Sequence, residues 1–428
     1  MVNNEAVAAF LLRNGVDLRE MDAQAECRRF MDEMERGLQG EGSLRMIPTY
    51  LPVSKTLPKN TAPLLVLDAG GTNLRSASVR FENGQAVVED FSVRAMPGSR
   101  GAVDRSEFFD ALADSLAPIA GKSGTVAFCF SYPAQPLQDG DSEAVFMSKG
   151  VEVRGLVGAR LGRGLQEAMA AHGLGSKRVL VLNDAVATMF AGMAGGYAAC
   201  VGFILGTGSN TCYVQSPGVG KLSGVSSPLP INTESGGYAL FPRGEIDLAY
   251  DKTTGNPGVQ TFEKMISGKY QGGLTLTALR HAAGEGLFSS ECAWRLANLK
   301  VLHAKEIDVF LDQKDTNALD QCCAAEADRS AMRQILEALA ERTAKLVSID
   351  LAASLLKSSG AKSGGKLGIA LDGSVCHHSR TFREKLRQEA QVLLGERLGL
   401  PYALHDVQDG SLLGAAVAGA LSLEPALY

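Results

Sequence analysis

The chain has 428 residues and 45.1 kDa, with 45% hydrophobic and 21% charged residues. That composition disfavours wholesale disorder, and the length suggests about two to three domains. Lys and Arg number 42 against 47 Asp and Glu, a net charge of −5 and a pI near 5.8 that withhold the broad cationic field nucleic acids and anionic membranes require.

Helix, turn and a second helix (Glu20 to Leu38) are expected over the first stretch, then a connector punctuated by Pro48, Pro52 and Pro58. The apolar run Ala6 to Leu12 follows Glu5 rather than a basic segment, so no signal peptide is expected. Strand Leu64 to Leu67 runs into Asp68-Ala69-Gly70-Gly71-Thr72-Asn73, and alternation resumes over Arg75 to Phe81, the pattern of a hairpin. A strand near Ala86 to Val93, a helix over Ser106 to Ala120, strand Val126 to Phe130, a helix over Gly155 to His172 and strand Val179 to Leu182 follow, then a helix after Asp184. Ala185 to Leu205 carries no charge over 205 − 184 = 21 residues, the length of a membrane span. Its Ala/Gly content and the Gly195-Gly196 break favour a buried helix, a loop and a buried strand.

The second half repeats the order. Strand Val201 to Leu205 ends in Gly206-Thr207-Gly208-Ser209-Asn210 and returns over Cys212 to Val214. A helical stretch from about Ile246 to Lys357 intervenes, then strand Leu367 to Leu371 with Asp372-Gly373-Ser374, a helix over Thr381 to Leu398, a strand at Tyr402 to Leu404 and a helix from Ser411 to Leu421. The expected fold is therefore two related α/β domains facing each other across a cleft. Eight scattered cysteines with no CxxC or Cys/His array read as reduced cytosolic thiols, and a cytoplasmic protein is expected.

The glycine hairpins at 68–73 and 206–210 start 206 − 68 = 138 positions apart, at equivalent places in the two halves. Such tips expose backbone N–H groups that can cradle phosphate, and Thr72 and Thr207 add hydroxyl donors. Gly360 to Lys366 approaches a Walker A motif, but Leu367 stands where Ser or Thr is required and a strand follows, so a surface loop is expected. Asp184 ends a strand where α/β sheets bind ligands, with an N-cap of the following helix as the plainer reading. Lys149, Glu234, Glu263 and Asn210 read, taken singly, as solvated or turn residues, and the six histidines suggest no chemistry.

Taken together, LDAGGTNLR (67–75), FCFSYPAQ (128–135), SKG (148–150), LNDAVATM (182–189), LGTGSNTCY (205–213), INTESGG (231–237), NPGVQTFEKMISGKY (256–270), LDGSV (371–375) and DGSLLGAA (409–416) resemble the hexokinase family in content and order. The resemblance spans about residues 62 to 416 and fits a single kinase unit. The ROK-type glucokinases are a poorer fit, because their cysteine-rich zinc motif is missing.

The resemblance implies two RNase H-like (actin-like ATPase) domains with a large helical insertion in the second. It implies boundaries at 61–184 plus 411–428 for the small domain and 185–410 for the large one, with residues 1–60 packed on the latter. It further implies transfer of the γ-phosphoryl group of ATP, with Mg²⁺, to the 6-hydroxyl of glucose or a related hexose. Asp184 would be the general base and Lys149 would stabilise the transition state. Ser131, Ser148, Asn183, Asn210, Glu234 and Glu263 would join them in binding sugar. Asp68 (holding Mg²⁺ through water), Gly70, Gly71, Thr72, Asn73 and Arg75 would form the first nucleotide segment; Gly206, Thr207, Gly208 and Ser209 the second; and Gly373, Ser374 and Ser411 the adenosine side. Ser148 replaces the family's usual Thr, Ser235 replaces a usual Trp, and Gly237 and Tyr238 alter the next positions, which bears on sugar specificity. A non-catalytic sugar sensor on the same scaffold and an actin- or chaperone-like ATPase are the rival readings.

Overall fold

A computed structural model describes residues 4–54, 59–147, 150–312 and 316–423. Two mixed sheets organise the chain. In the first the strand order is Arg178–Leu182, Thr125–Phe130, Leu64–Ala69, Asn73–Glu82, Gln85–Ala95; the first two pairings are parallel and the last two antiparallel. In the second, Tyr402–Asp406, Leu367–Asp372, Ala199–Leu205, Ser209–Gln215 and Leu229–Asn232 repeat that sequence of parallel and antiparallel pairings. Ile47–Pro48 then adds one further antiparallel strand. Each half thus contains the same glycine hairpin at the same place, Leu64–Ala69 into Asn73–Glu82 and Ala199–Leu205 into Ser209–Gln215. The central strands Leu64–Ala69 and Thr125–Phe130 are buried at every position, as parallel strands covered on both faces must be.

Two helices fill the space between the sheets. Asp184–Gly192 and Gly410–Leu421 pack against each other and share a core with Leu64 and Val66 of one sheet and Cys212 and Val214 of the other. Their backbones touch at Gly414, where a Cβ would overlap the carbonyl of Ala187. Outside the first sheet lie helices Arg105–Leu116 and Leu161–Ala171. Outside the second lie Ala23–Leu38, Arg380–Ala390 and the C-terminal half of the 32-residue helix Glu326–Lys357. That helix is about 48 Å long. Its N-terminal half, with Ala331, Met332, Ile335, Leu336 and Leu339, belongs to a separate helical core that also holds Val7 and Phe10 of the N-terminal helix Asn4–Arg13.

Several boundaries differ from the sequence expectation for local reasons. The expected helix over 155–172 starts at Leu161, because Gly155 and Gly158 adopt positive φ. The helix expected over 106–120 gives way at Ala117 to a 3₁₀ segment containing Pro118. The stretch 246–357 divides into Glu245–Asp251, Thr261–Ile266, Gly268–Gly284, Ser290–Asn298, Ala304–Asp312, Ala318–Cys322 and Glu326–Lys357. The helix expected over 381–398 is α-helical to Ala390 and opens into a π turn over Gln391–Arg397. Ala185 to Leu205 is a buried helix, a loop and a strand, and no helix among the described residues is long and apolar enough to cross a membrane. Gly360 to Lys366 is a loop with one 3₁₀ turn leading into Leu367–Asp372, which is not the setting of a phosphate-binding P-loop.

At the junction of the long helix's two halves, Arg342 is 1% exposed and donates two 2.9 Å hydrogen bonds to the Asp247 carboxylate. It also reaches the carbonyl of Gly15, tying in the N-terminal segment. Removing the cation leaves Asp247 buried without a countercharge. Arg342→Met should therefore lower the free energy of unfolding by about 3–5 kcal/mol, read from urea denaturation; a loss below about 1 kcal/mol would contradict the assignment.

Candidate active site

The first hairpin closes with Gly70 N–H donating to Asn73 O at 3.0 Å. Across it, Asp68 and Arg75 are register partners, which places their side chains together. Arg75 Nε donates to Asp68 Oδ2 at 2.8 Å, and its other nitrogens reach Asp409 Oδ1 at 2.7 Å and Ser411 Oγ at 2.8 Å. Ser411 Oγ donates in turn to Asp68 Oδ2 at 3.0 Å. The strand after the hairpin is thereby tied to the start of helix Gly410–Leu421. Asp68 is 1% exposed, and its Oδ1 has no partner among the described residues. Burial pushes its carboxyl above the ordinary range although the Arg75 guanidinium opposes this.

The second hairpin is clamped from outside. Gly206 N–H bonds Gly208 O at 2.9 Å, Gly268 N–H bonds Gly206 O at 2.8 Å, and Lys269 N–H bonds Thr207 O at 3.3 Å. Glu263 Oε2 accepts the Ser209 N–H at 3.0 Å. A Cβ on Gly208 would stand 2.6 Å from that same oxygen, so glycine is what lets the carboxylate approach.

Asn183 and Asp184 sit where strand Arg178–Leu182 gives way to helix Asp184–Gly192. The cap is Asn183, not Asp184: Asn183 Oδ1 accepts the Ala185 N–H at 2.9 Å from extended backbone. Asp184 is the first helical residue, and its Oδ1 meets the same N–H at 2.9 Å. Opposite, Asn210 Nδ2 donates to Asn232 Oδ1 at 2.7 Å, and Asn232 Nδ2 donates to Glu234 Oε1 at 2.8 Å. Glu234 stands at φ 54, in the left-handed region, just before the 3₁₀ turn Ser235–Gly237.

These elements enclose a cavity of about 420 Å³. Its lining brings together Asp68, Gly70, Gly71, Thr72 and Arg75 with Gly206, Thr207, Gly208 and Ser209. Ser131, Asn183, Asp184, Asn210, Glu234 and Glu263 line it too, as do Gly373, Ser374 and Ser411. Asn73 is not in the lining; it is exposed, begins its strand and serves the hairpin through its carbonyl. Ser148 and Lys149 lie outside the described residues. The lining also includes Asp372, Asn256, Gln260, Lys269 and Tyr270, which the residue-by-residue reading passed over. All five lie inside segments that carry the resemblance. Gln260 has φ 52 and a buried side-chain oxygen without a partner among the described residues, and Asp372 is bonded by the ring of His377 at 2.8 Å. One of the six histidines therefore faces the cleft through a carboxylate.

Two sheets of the same strand order, each with a glycine hairpin that opens on one shared cavity, are the arrangement of two RNase H-like (actin-like ATPase) domains. Two models described as Hexokinase match residues 12–194 and 200–421, so the chain belongs to the hexokinase family. It is similar to Hexokinase-1 of Schizosaccharomyces pombe, at 29% identity over 92% of this chain and 86% of that protein. It is 30% identical to the Hexokinase-like 1 protein of Arabidopsis thaliana over 91% of this chain and 86% of that one. The hexokinase from Schistosoma mansoni solved with glucose shares the fold, with a TM-score of 0.80 and 24% identity over 97% of this chain and 99% of that one.

Because a Cβ at position 208 would overlap the Glu263 oxygen that accepts the Ser209 N–H, Gly208→Ala should force that carboxylate away. We expect an overpacking loss of about 1–3 kcal/mol in stability, measured by thermal and urea unfolding. Wild-type stability in that variant would show that the hairpin does not depend on the contact.

Proposed function

We propose that the chain is an ATP-dependent hexose kinase that transfers the γ-phosphoryl group of ATP to the 6-hydroxyl of glucose or a related hexose, the opening step of glycolysis. The observation that carries this reading is one cavity lined by both glycine hairpins and by Asp184, Asn210, Glu234 and Glu263. Phosphoryl transfer needs positioning and charge stabilisation above all, and the hairpin N–H groups with Thr72 and Thr207 are suited to hold phosphate oxygens. A sugar hydroxyl is a weak nucleophile, so Asp184 takes its proton as the oxygen attacks phosphorus in line. Asn183, Asn210, Glu234 and Glu263 supply donors and acceptors to ring hydroxyls, which do both. The family resemblance assigns Ser148 to the sugar set and Lys149 to the developing charge on the transferred group.

Asp68 fits a role beside Mg²⁺: the residue lines the cavity and its buried Oδ1 has no partner among the described residues, which leaves that oxygen for a metal-bound water. When bound, the ion supplies charge neutralisation on the phosphates. Water competes with the sugar as acceptor, and closure of residues 61–184 with 411–428 onto 185–410 around bound hexose would exclude it. Of residues 1–60, the described stretch 4–54 would ride on the larger lobe. Eight free cysteines, seven of them buried, support a cytoplasmic setting.

Asp184→Ala should lower kcat by at least about 100-fold while ATP binding changes little. The assay is ADP release with and without glucose, mannose, fructose or N-acetylglucosamine. Sugar binding without turnover in the wild type would favour the sensor, and sugar-independent turnover the ATPase; a near wild-type rate in Asp184→Ala would remove the general base.

A further inference from the structure

Asp350 lies in the C-terminal half of helix Glu326–Lys357 and is 0% exposed. A carboxylate so placed is costly unless hydrogen-bonded, and the buried residues nearest it on this helix are Leu, Ile, Val and Ala apart from Ser348 and Ser354. Its partners are hydroxyls. Thr211 Oγ1 donates to Oδ2 at 2.6 Å, Ser354 Oγ donates to Oδ1 at 3.2 Å, and the Ser235 hydroxyl joins the group beside Thr211 Oγ1. Thr211 and Ser235 meet at 3.0 Å, and both are fully buried. Burial nevertheless pushes the Asp350 carboxyl up to about 6.

Ser354 is a local partner on the same helix. The other two are the residues that directly follow Asn210 and Glu234. Thr211 N–H also holds Asn210 Oδ1 at 2.8 Å, orienting the amide that faces Asn232. Thr211 O receives both the N–H and the hydroxyl of Thr233, at 3.0 and 2.8 Å, which pins the residue before Glu234. Glu234 itself stands at φ 54, a conformation a non-glycine residue keeps only where its surroundings over-determine it. Thr233 on one side and Ser235 on the other supply that constraint. Ser235, where the hexokinase pattern carries Trp, provides the hydroxyl this arrangement needs.

We infer that Asp350 is a positioning residue for the sugar half of the cleft, holding Asn210 and Glu234 in place through Thr211 and Ser235. The inference rests on the hexose-kinase reading, and its test separates the two. Glucose and ADP affinities are measured by calorimetry on the folded full chain and on Asp350→Ala, Thr211→Val and Ser235→Ala. Glucose binding by the wild type tests the kinase reading alone. Each variant should weaken glucose at least about tenfold, with ADP affinity held within about twofold, because a buried polar group left unpaired disorders only the sugar side. Asp350→Asn, whose amide oxygen can still accept from Thr211 while its NH2 donates to Ser354, should recover most of the loss. Should Asp350→Ala fail to fold, Thr211→Val and Ser235→Ala, which are smaller changes, decide the matter. Unchanged glucose affinity in those two, or equal losses of glucose and ADP affinity, would overturn the inference.

Discussion

The cleft is placed by a backbone-to-backbone contact between two helices. Where Gly414 meets the carbonyl of Ala187, helices Asp184–Gly192 and Gly410–Leu421 approach more closely than any side chain would permit. Both are buried along most of their length and sandwiched between the sheets, so their first turns open into the same space. Asp184 begins one helix and Ser411 stands in the first turn of the other. Ser411 and Asp409 then grip Arg75, and Arg75 grips Asp68 across the first hairpin. A chain of contacts therefore runs from one close-packed glycine to the carboxylates of both lobes.

The duplicated sheet explains why two loops so far apart in sequence face one another. Each sheet runs two parallel pairings into an antiparallel hairpin, and each hairpin turn sits at the carboxyl end of its central strand, where open α/β sheets bind ligands. Pairing two such sheets around a shared helical layer brings both ligand ends to one cleft. The halves then differ in how the hairpin is held: the first by an ion pair within itself, the second by glycine, lysine and glutamate supplied from helices Thr261–Ile266 and Gly268–Gly284. The helical insertion is thus structural support for the second hairpin as well as an addition to the fold.

Much of this was legible in the residues because the signals are local. Apolar runs ending in Asp-x-Gly-Gly-Thr or Gly-Thr-Gly mark strand and turn whatever surrounds them, and the repeat of their order reveals the duplication. The failures are where tertiary context decides. Asn183 and Asp184 are both good caps, and the extended backbone at Asn183, with Asp184 already helical, selects the first. Ile47–Pro48 and Leu229–Asn232 contain proline and few residues, so neither reads as a strand, yet Leu229–Asn232 extends the second sheet and Ile47–Pro48 forms its edge. Gln260 and Asp372 stood within matched segments but beside better-known residue types, Glu263 and Gly373. Asp350 is the hardest to see: one acid in a long helix resembles its solvent-facing neighbours until the sheet covering it is known.

The charge in the cleft constrains any ligand. Asp68, Asp184, Glu234, Glu263 and Asp372 line it, against Arg75 and Lys269 among the described lining residues. Arg75 is already committed to Asp68 and Asp409, so its charge is largely answered within the protein. A polyphosphate entering such a space meets an excess of carboxylate, and Coulomb repulsion at low dielectric would exceed what one exposed lysine can offset. The hairpin N–H groups help because they present partial positive charge without a counter-ion. The buried Asp68 oxygen, without a partner among the described residues, is where the proposed reading would place the water of a divalent cation brought in with the phosphates. The same excess of acid suits neutral, hydroxyl-rich ligands, since carboxylates accept from hydroxyls without repelling them. On the proposed reading, electrostatics would therefore sort the two kinds of ligand to different parts of one cavity: phosphate to the hairpin tips and polyol to the carboxylates around Glu234.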